Sequence, residues 1–144
     1  MEFKDFDKKT QDDITALVKE NLVVAQDIIR TDKFLIPILT IKKDNAQDEI
    51  VGLVSADGDD DVDKAFDLAF EKLKNTDFSY ARFTYSTQIL SRNGGIADAI
   101  KTCIFVKGGV MISFFTPYLI KGLFSKKVFI GDTILEDITE NIFE

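Results

Sequence analysis

Residues 78–119 hold three stretches of alternating side chains joined at two glycine pairs, and no other feature constrains the fold of this chain as tightly. Along 81–90, Ala81, Phe83, Tyr85, Thr87 and Ile89 fall on one side, with Arg82, Thr84, Ser86, Gln88 and Leu90 on the other. Such period-two alternation marks a half-buried strand. Asn93-Gly94 is a strong signal for a two-residue hairpin turn, whose central residues both take positive φ. Gly108-Gly109 is a second such signal. Turns of that length pair Phe83 with Ile104 and Ile89 with Asp98, and then Ile104 with Ser113 and Phe105 with Ile112. These registers predict a core face of Phe83, Tyr85, Ile89, Ile100, Ile104, Val106, Met111 and Phe115. They also gather Cys103, Phe105, Ile112, Phe114 and Tyr118 on the opposite face, and a second apolar face needs a cover.

The flanks read as mixed helix and strand. Ile14, Leu17, Val18, Leu22, Ala25, Ile28 and Ile29 follow helical spacing over 10–30, and Thr10 with Asp13 resembles a capping box. Val23 and Val24 lie off that stripe and suggest a second buried side. An apolar run over 33–42 and a shorter one over 49–55 read as paired strands, with Pro37 pointing to an edge or bulge. Val62, Ala65, Phe66, Ala69, Phe70 and Leu73 make an apolar helix stripe over 61–75. Beyond Pro117, residues 128–130 suggest a short strand. Over 133–143, Ile134, Leu135, Ile138 and Ile142 stand near helical spacing, and Thr133 with Glu136 offers a capping box. The expected architecture is a single α+β domain over 1–144. Its order is helix, two strands, helix, three or four strands, and a C-terminal helix or arm. Five or six antiparallel strands carry both main helices on one face.

Composition narrows the chemistry. The 144 residues include no histidine and one cysteine, Cys103, which excludes histidine-based nucleophile activation and histidine- or cysteine-rich metal centres within one chain. The lone cysteine and the mixed-charge N-terminus lack the marks of a secreted, cross-linked protein, so a cytoplasmic location is expected. No apolar run approaches the roughly 20 residues that span a bilayer, and no membrane partner is expected. The acidic repeat over 57–63 fails as a calcium loop: counted from Asp57, the sixth position is Val62 and the twelfth Leu68. Aspartates capping the next helix explain it better. No metal or cofactor is expected.

Formal net charge is −7, and ten acids against two lysines over 43–71 make that segment strongly negative. This argues against a nucleic-acid partner. Asp98 stands out as a carboxylate on the expected core face, where a raised pKa or a ligand-orienting role competes with simple solvation at a sheet end. Arg82, Tyr85, Asp98 and Lys101 are the candidate ligand-binding residues, although Arg82 and Tyr85 lie on opposite faces of their strand. Cys103 among phenylalanines reads as packing. The leading expectation is a non-enzymatic binding or assembly module that homodimerises through Cys103, Phe105, Ile112, Phe114 and Tyr118. Two alternatives are an acidic partner of a basic protein, in the manner of an immunity protein or secretion chaperone, and a small-molecule binder or enzyme using a carboxylate and tyrosine site.

Overall fold

A computed structural model describes residues 1–32, 35–44, 47–52, 62–90 and 93–144. Its elements, in chain order, are a 3₁₀ turn (Phe3–Asp5), α1 (Lys8–Asp32), β1 (Ile38–Lys42), β2 (Glu49–Gly52), α2 (Val62–Lys74), β3 (Tyr80–Leu90), β4 (Ile96–Val106), β5 (Val110–Lys121), β6 (Lys127–Ile130) and β7 (Ile134–Thr139). The seven strands form one antiparallel sheet in the order β2-β1-β3-β4-β5-β6, with β7 also on β5. β5 changes partner along its length. Met111 to Phe115 face β7, and Tyr118 to Lys121 face β6.

The α+β class and the antiparallel meander stand as expected, but the registers differ by one residue at both turns. Phe83 lies opposite Cys103, and Gln88 opposite Asp98. Ile104 lies opposite Ile112, and Phe105 opposite Met111. The cause is loop length. Leu90 pairs with Ile96 and Val106 with Val110, so the loops hold five and three residues. An odd loop places residues of equal parity opposite each other, whereas a two-residue loop does the reverse, and a one-residue slip moves a strand's side chains to the other face. The shift therefore turns β4 over relative to both neighbours.

With β4 turned, the two helices sit on opposite faces, which corrects the expectation of one covered face. Phe83, Cys103 and Phe105 join Leu39, Ile41 and the α2 residues Ala65, Ala69 and Leu73 in one buried cluster. Ile104, Ile112 and Phe114 pack against Ile14, Leu17 and Val18 of α1. Ile100, Tyr118 and Val128 pack against Ala25 and Ile29 further along the same helix. Both sheet faces are thus closed by the chain itself.

Three local differences follow from backbone hydrogen bonding. α1 begins earlier than Thr10, because the Asp7 carboxylate accepts from the Thr10 backbone N–H at 2.7 Å. That bond holds the Asp7 carboxyl below its ordinary pKa. β1 starts after Pro37 and is internal, so the proline precedes the ladder and interrupts nothing. The C-terminal segment is a strand instead of a helix. Between Ser113 and Phe114 the β5–β7 ladder shifts, with Phe114 opposite Leu135, Ser113 opposite Asp137, and Glu136 as the extra residue. This bulge puts Leu135 and Ile138 on the α1 side, so a three-residue spacing that imitates a helix arises from a bulged strand. Val23 and Val24 of α1 are exposed, so the helix has one buried side. Residues 53–55 of the second expected strand and the acidic segment tested for calcium lie outside the described residues, apart from Val62 and Asp63 at the start of α2.

Candidate binding groove

The groove forms where α1 crosses the start of β7. Successive turns of α1 bring Ile14, Val18 and Leu22 to one line, the spacing that aligns side chains along a helix. Phe3, in the turn before α1, closes one end of this line. Phe114 of β5 forms the floor, and Leu135 of β7 forms the far wall through the bulge. The groove, open to solvent along one side, has a volume of about 310 Å³. Ile14, Val18 and Phe114 are buried, while Leu135 stays 43% exposed at the rim beside Thr15 and Lys19. The surface inside is almost wholly carbon, so the groove is suited to holding apolar side chains.

The outer wall has two further properties. β7 pairs with β5 on one side, and no other described strand pairs with it. The chain from Asp132 onward carries Asp132, Glu136, Asp137, Glu140 and Glu144 without a single lysine or arginine. Glu136 is bound by Lys101 Nζ at 2.5 Å, and Glu140 lies 3.8 Å from the N-terminal ammonium. The other side of the groove is anchored by polar contacts beneath α1. Asn21 Nδ2 donates to Thr102 Oγ1 at 2.9 Å, and Thr84 Oγ1 donates to Asn21 Oδ1 at 2.8 Å. All three residues are buried.

The residues singled out from sequence do not converge. Arg82 lies under α1, where Nη1 donates to the Leu17 carbonyl and Nη2 to Glu20 Oε1, both at 3.4 Å. Its guanidinium is thus held within the fold. Tyr85 and Lys101 are cross-strand neighbours on the other face. Burial above all pushes the Tyr85 phenol up to about 12, with the nearby Cys103, Glu136 and Asp63 adding to it. Lys101 sits 4.6 Å above the Phe115 ring as well as on Glu136. Asp98 is exposed near the end of β4, opposite Gln88, which is the solvated arrangement weighed against a buried acid. These four residues therefore share no pocket.

The proposed dimer surface is also dispersed. Cys103 and Phe105 lie beneath α2, whereas Ile112, Phe114 and Tyr118 lie beneath α1. All five are buried by their own chain, so they form no single free face. Burial likewise pushes the Cys103 thiol up, which disfavours the thiolate, although Ser113 Oγ at 3.8 Å acts in the opposite sense. Among the described residues, no three acidic or cysteine side chains converge as a metal site. The groove is not legible in the sequence, because local spacing puts Leu135 on a helix and the two-residue-turn registers put Phe114 on an outer face. The signal that was present is the apolar Ile14-Val18-Leu22 line together with Phe3.

No protein-family model matches the chain, and neither a curated protein nor a solved structure matches it significantly.

Proposed function

We propose that this protein is a non-enzymatic binding module whose α1–β7 groove takes an extended segment of a protein partner, with apolar residues alternating with basic ones. The observation that carries this reading is the carbon-lined groove beside the outer edge of β7. An extended peptide that adds to a sheet edge gains main-chain hydrogen bonds, and every second side chain points to one face. Here that face is the groove. The side chains between meet a terminal segment with five acids and no base, which favours lysine and arginine. This reading is a specific form of the acidic-partner expectation, and it moves the binding surface away from the buried Cys103–Phe105 cluster.

Selection from a random phage-displayed peptide library tests it. The recovered peptides are expected to alternate apolar with basic residues and to bind less well as salt rises. Leu135→Glu, at a partly exposed rim position, is expected to weaken them about tenfold or more. Recovery of no such peptides, or equal binding by the variant, overturns the proposal.

A further inference from the structure

The β5–β6 hairpin ends in the most exposed apolar side chains of the described residues. Leu123 is 93% exposed and Phe124 fully so. They occupy a five-residue loop, Gly122 to Lys126, between the paired residues Lys121 and Lys127. The loop conformation is built in. Gly122 has φ +120, and a Cβ there would lie 2.2 Å from the Ser125 carbonyl oxygen. The hairpin is also anchored: Tyr118 and Val128 on its inner side pack against α1, and Gln26 Nε2 donates to the Val128 carbonyl at 2.8 Å. Two large apolar groups are thus held out in water on a fixed support.

Their surroundings are basic. Lys121, Lys126 and Lys127 flank the tip and are exposed, and Lys121 Nζ lies 5.7 Å from the centre of the Phe129 ring. From Ala99 to Gly131 the chain contains five lysines and no acid, in a molecule of formal net charge −7. On the outer side of the hairpin, Leu119 and Phe129 face each other across the ladder and are each about half exposed. The apolar surface therefore continues from the tip down one side. The acidic β7 strand joins β5 at Phe115 and before, six residues from Lys121, or about 20 Å at ~3.3 Å per residue. That separation exceeds the Debye length of about 8–10 Å at physiological salt, so the β7 acids are screened from the tip.

We propose that this hairpin tip docks the protein onto an anionic lipid bilayer surface, with Leu123 and Phe124 entering the headgroup–acyl boundary and the three lysines resting on the acidic headgroups. The shape favours a bilayer over a rigid partner. A convex tip with two such exposed side chains needs a matching pocket in a protein, whereas a lipid interface deforms around it. Peripheral binding of this kind combines apolar insertion with attraction to anionic lipid. It needs no spanning segment, and no described helix is long and apolar enough to cross a membrane. The expectation of no membrane partner rested on spanning length alone, which this mode does not require.

The chain has no tryptophan, so Phe124→Trp supplies a single reporter at the tip. Sedimentation with vesicles of phosphatidylcholine plus phosphatidylserine is the experiment, with phosphatidylcholine vesicles as the control. The full chain is expected to sediment with the anionic vesicles only, and F124W emission to shift to the blue when they are added. The exposed double variant L123S/F124S, with thermal unfolding measured to confirm its fold, is expected to lose about tenfold or more of the binding. Three results overturn the proposal. One is no sedimentation with anionic vesicles, and another is sedimentation equal in L123S/F124S. The third is a blue shift that rises with protein concentration in the absence of lipid, which would place the tip in a second copy of the chain.

Discussion

Asn21 shows how a single residue organises the α1 face. It lies four residues after Leu17 and four before Ala25, within the buried stripe of the helix. Its amide accepts from Thr84 and donates to Thr102, so it links α1 to β3 and β4 at once. A buried polar group that loses its partner bears its desolvation cost in full. Asn21→Ala is therefore expected to destabilise the protein by about 2–4 kcal/mol in urea unfolding, since two threonine hydroxyls lose their partner together. Removing the hydroxyls as well, in N21A/T84V/T102V, is expected to recover part of that loss. An N21A midpoint equal to the parent's would show that the network contributes nothing. Arg82 makes the same point from the other side. Its charge suggested a ligand site, yet the guanidinium is spent on Leu17 and Glu20.

At the scale of elements, two loops decide the fold. The three-residue loop Lys107-Gly108-Gly109 places both glycines at positive φ, +102 and +92. An added Cβ on Gly109 would meet its nearest atom, Phe143 Cδ2, at an ordinary 3.7 Å. The cost of Gly109→Ala thus comes from the backbone conformation, about 1–3 kcal/mol. Gly122→Ala adds a direct clash with Ser125 to the same backbone cost. Thermal unfolding is expected to rank G122A below G109A and both below the parent, and the reverse order would contradict the loop geometry. The sequence already showed that turns occur at both glycine sites. It did not show their length, because Asn-Gly and Gly-Gly suit longer loops as well as two-residue ones. A one-residue register shift, set by loop parity, then moves Cys103 and Phe105 from an expected outer face to the core beneath α2.

The whole molecule is a sheet closed on both sides by its own helices, with surfaces for binding at its margins. The C-terminal segment belongs to this closure, since Ile138 of β7 packs with Ile112 and Phe114 under α1, and Phe143, beyond the strand, meets Phe70 and Phe78 on the other face. Removing residues 133–144 is expected to expose both clusters and raise the fluorescence of a bound apolar dye, along with a loss of cooperative unfolding. A truncated chain with parental dye fluorescence and unfolding would show that β7 is peripheral to the core.

Local pattern alone determined much of this protein. The α2 stripe, the apolar line of α1, the alternating strand β3 and the absence of histidine chemistry are properties of neighbouring residues or of composition, and they need no knowledge of what packs where. The tertiary structure decided the rest. Which side of β4 is buried depends on loop parity. Whether 134–139 is helix or bulged strand depends on the open edge of β5, because both forms place Leu135 and Ile138 on one side. The groove between α1 and β7 joins residues more than a hundred positions apart, and such a site exists once the sheet has brought its walls together.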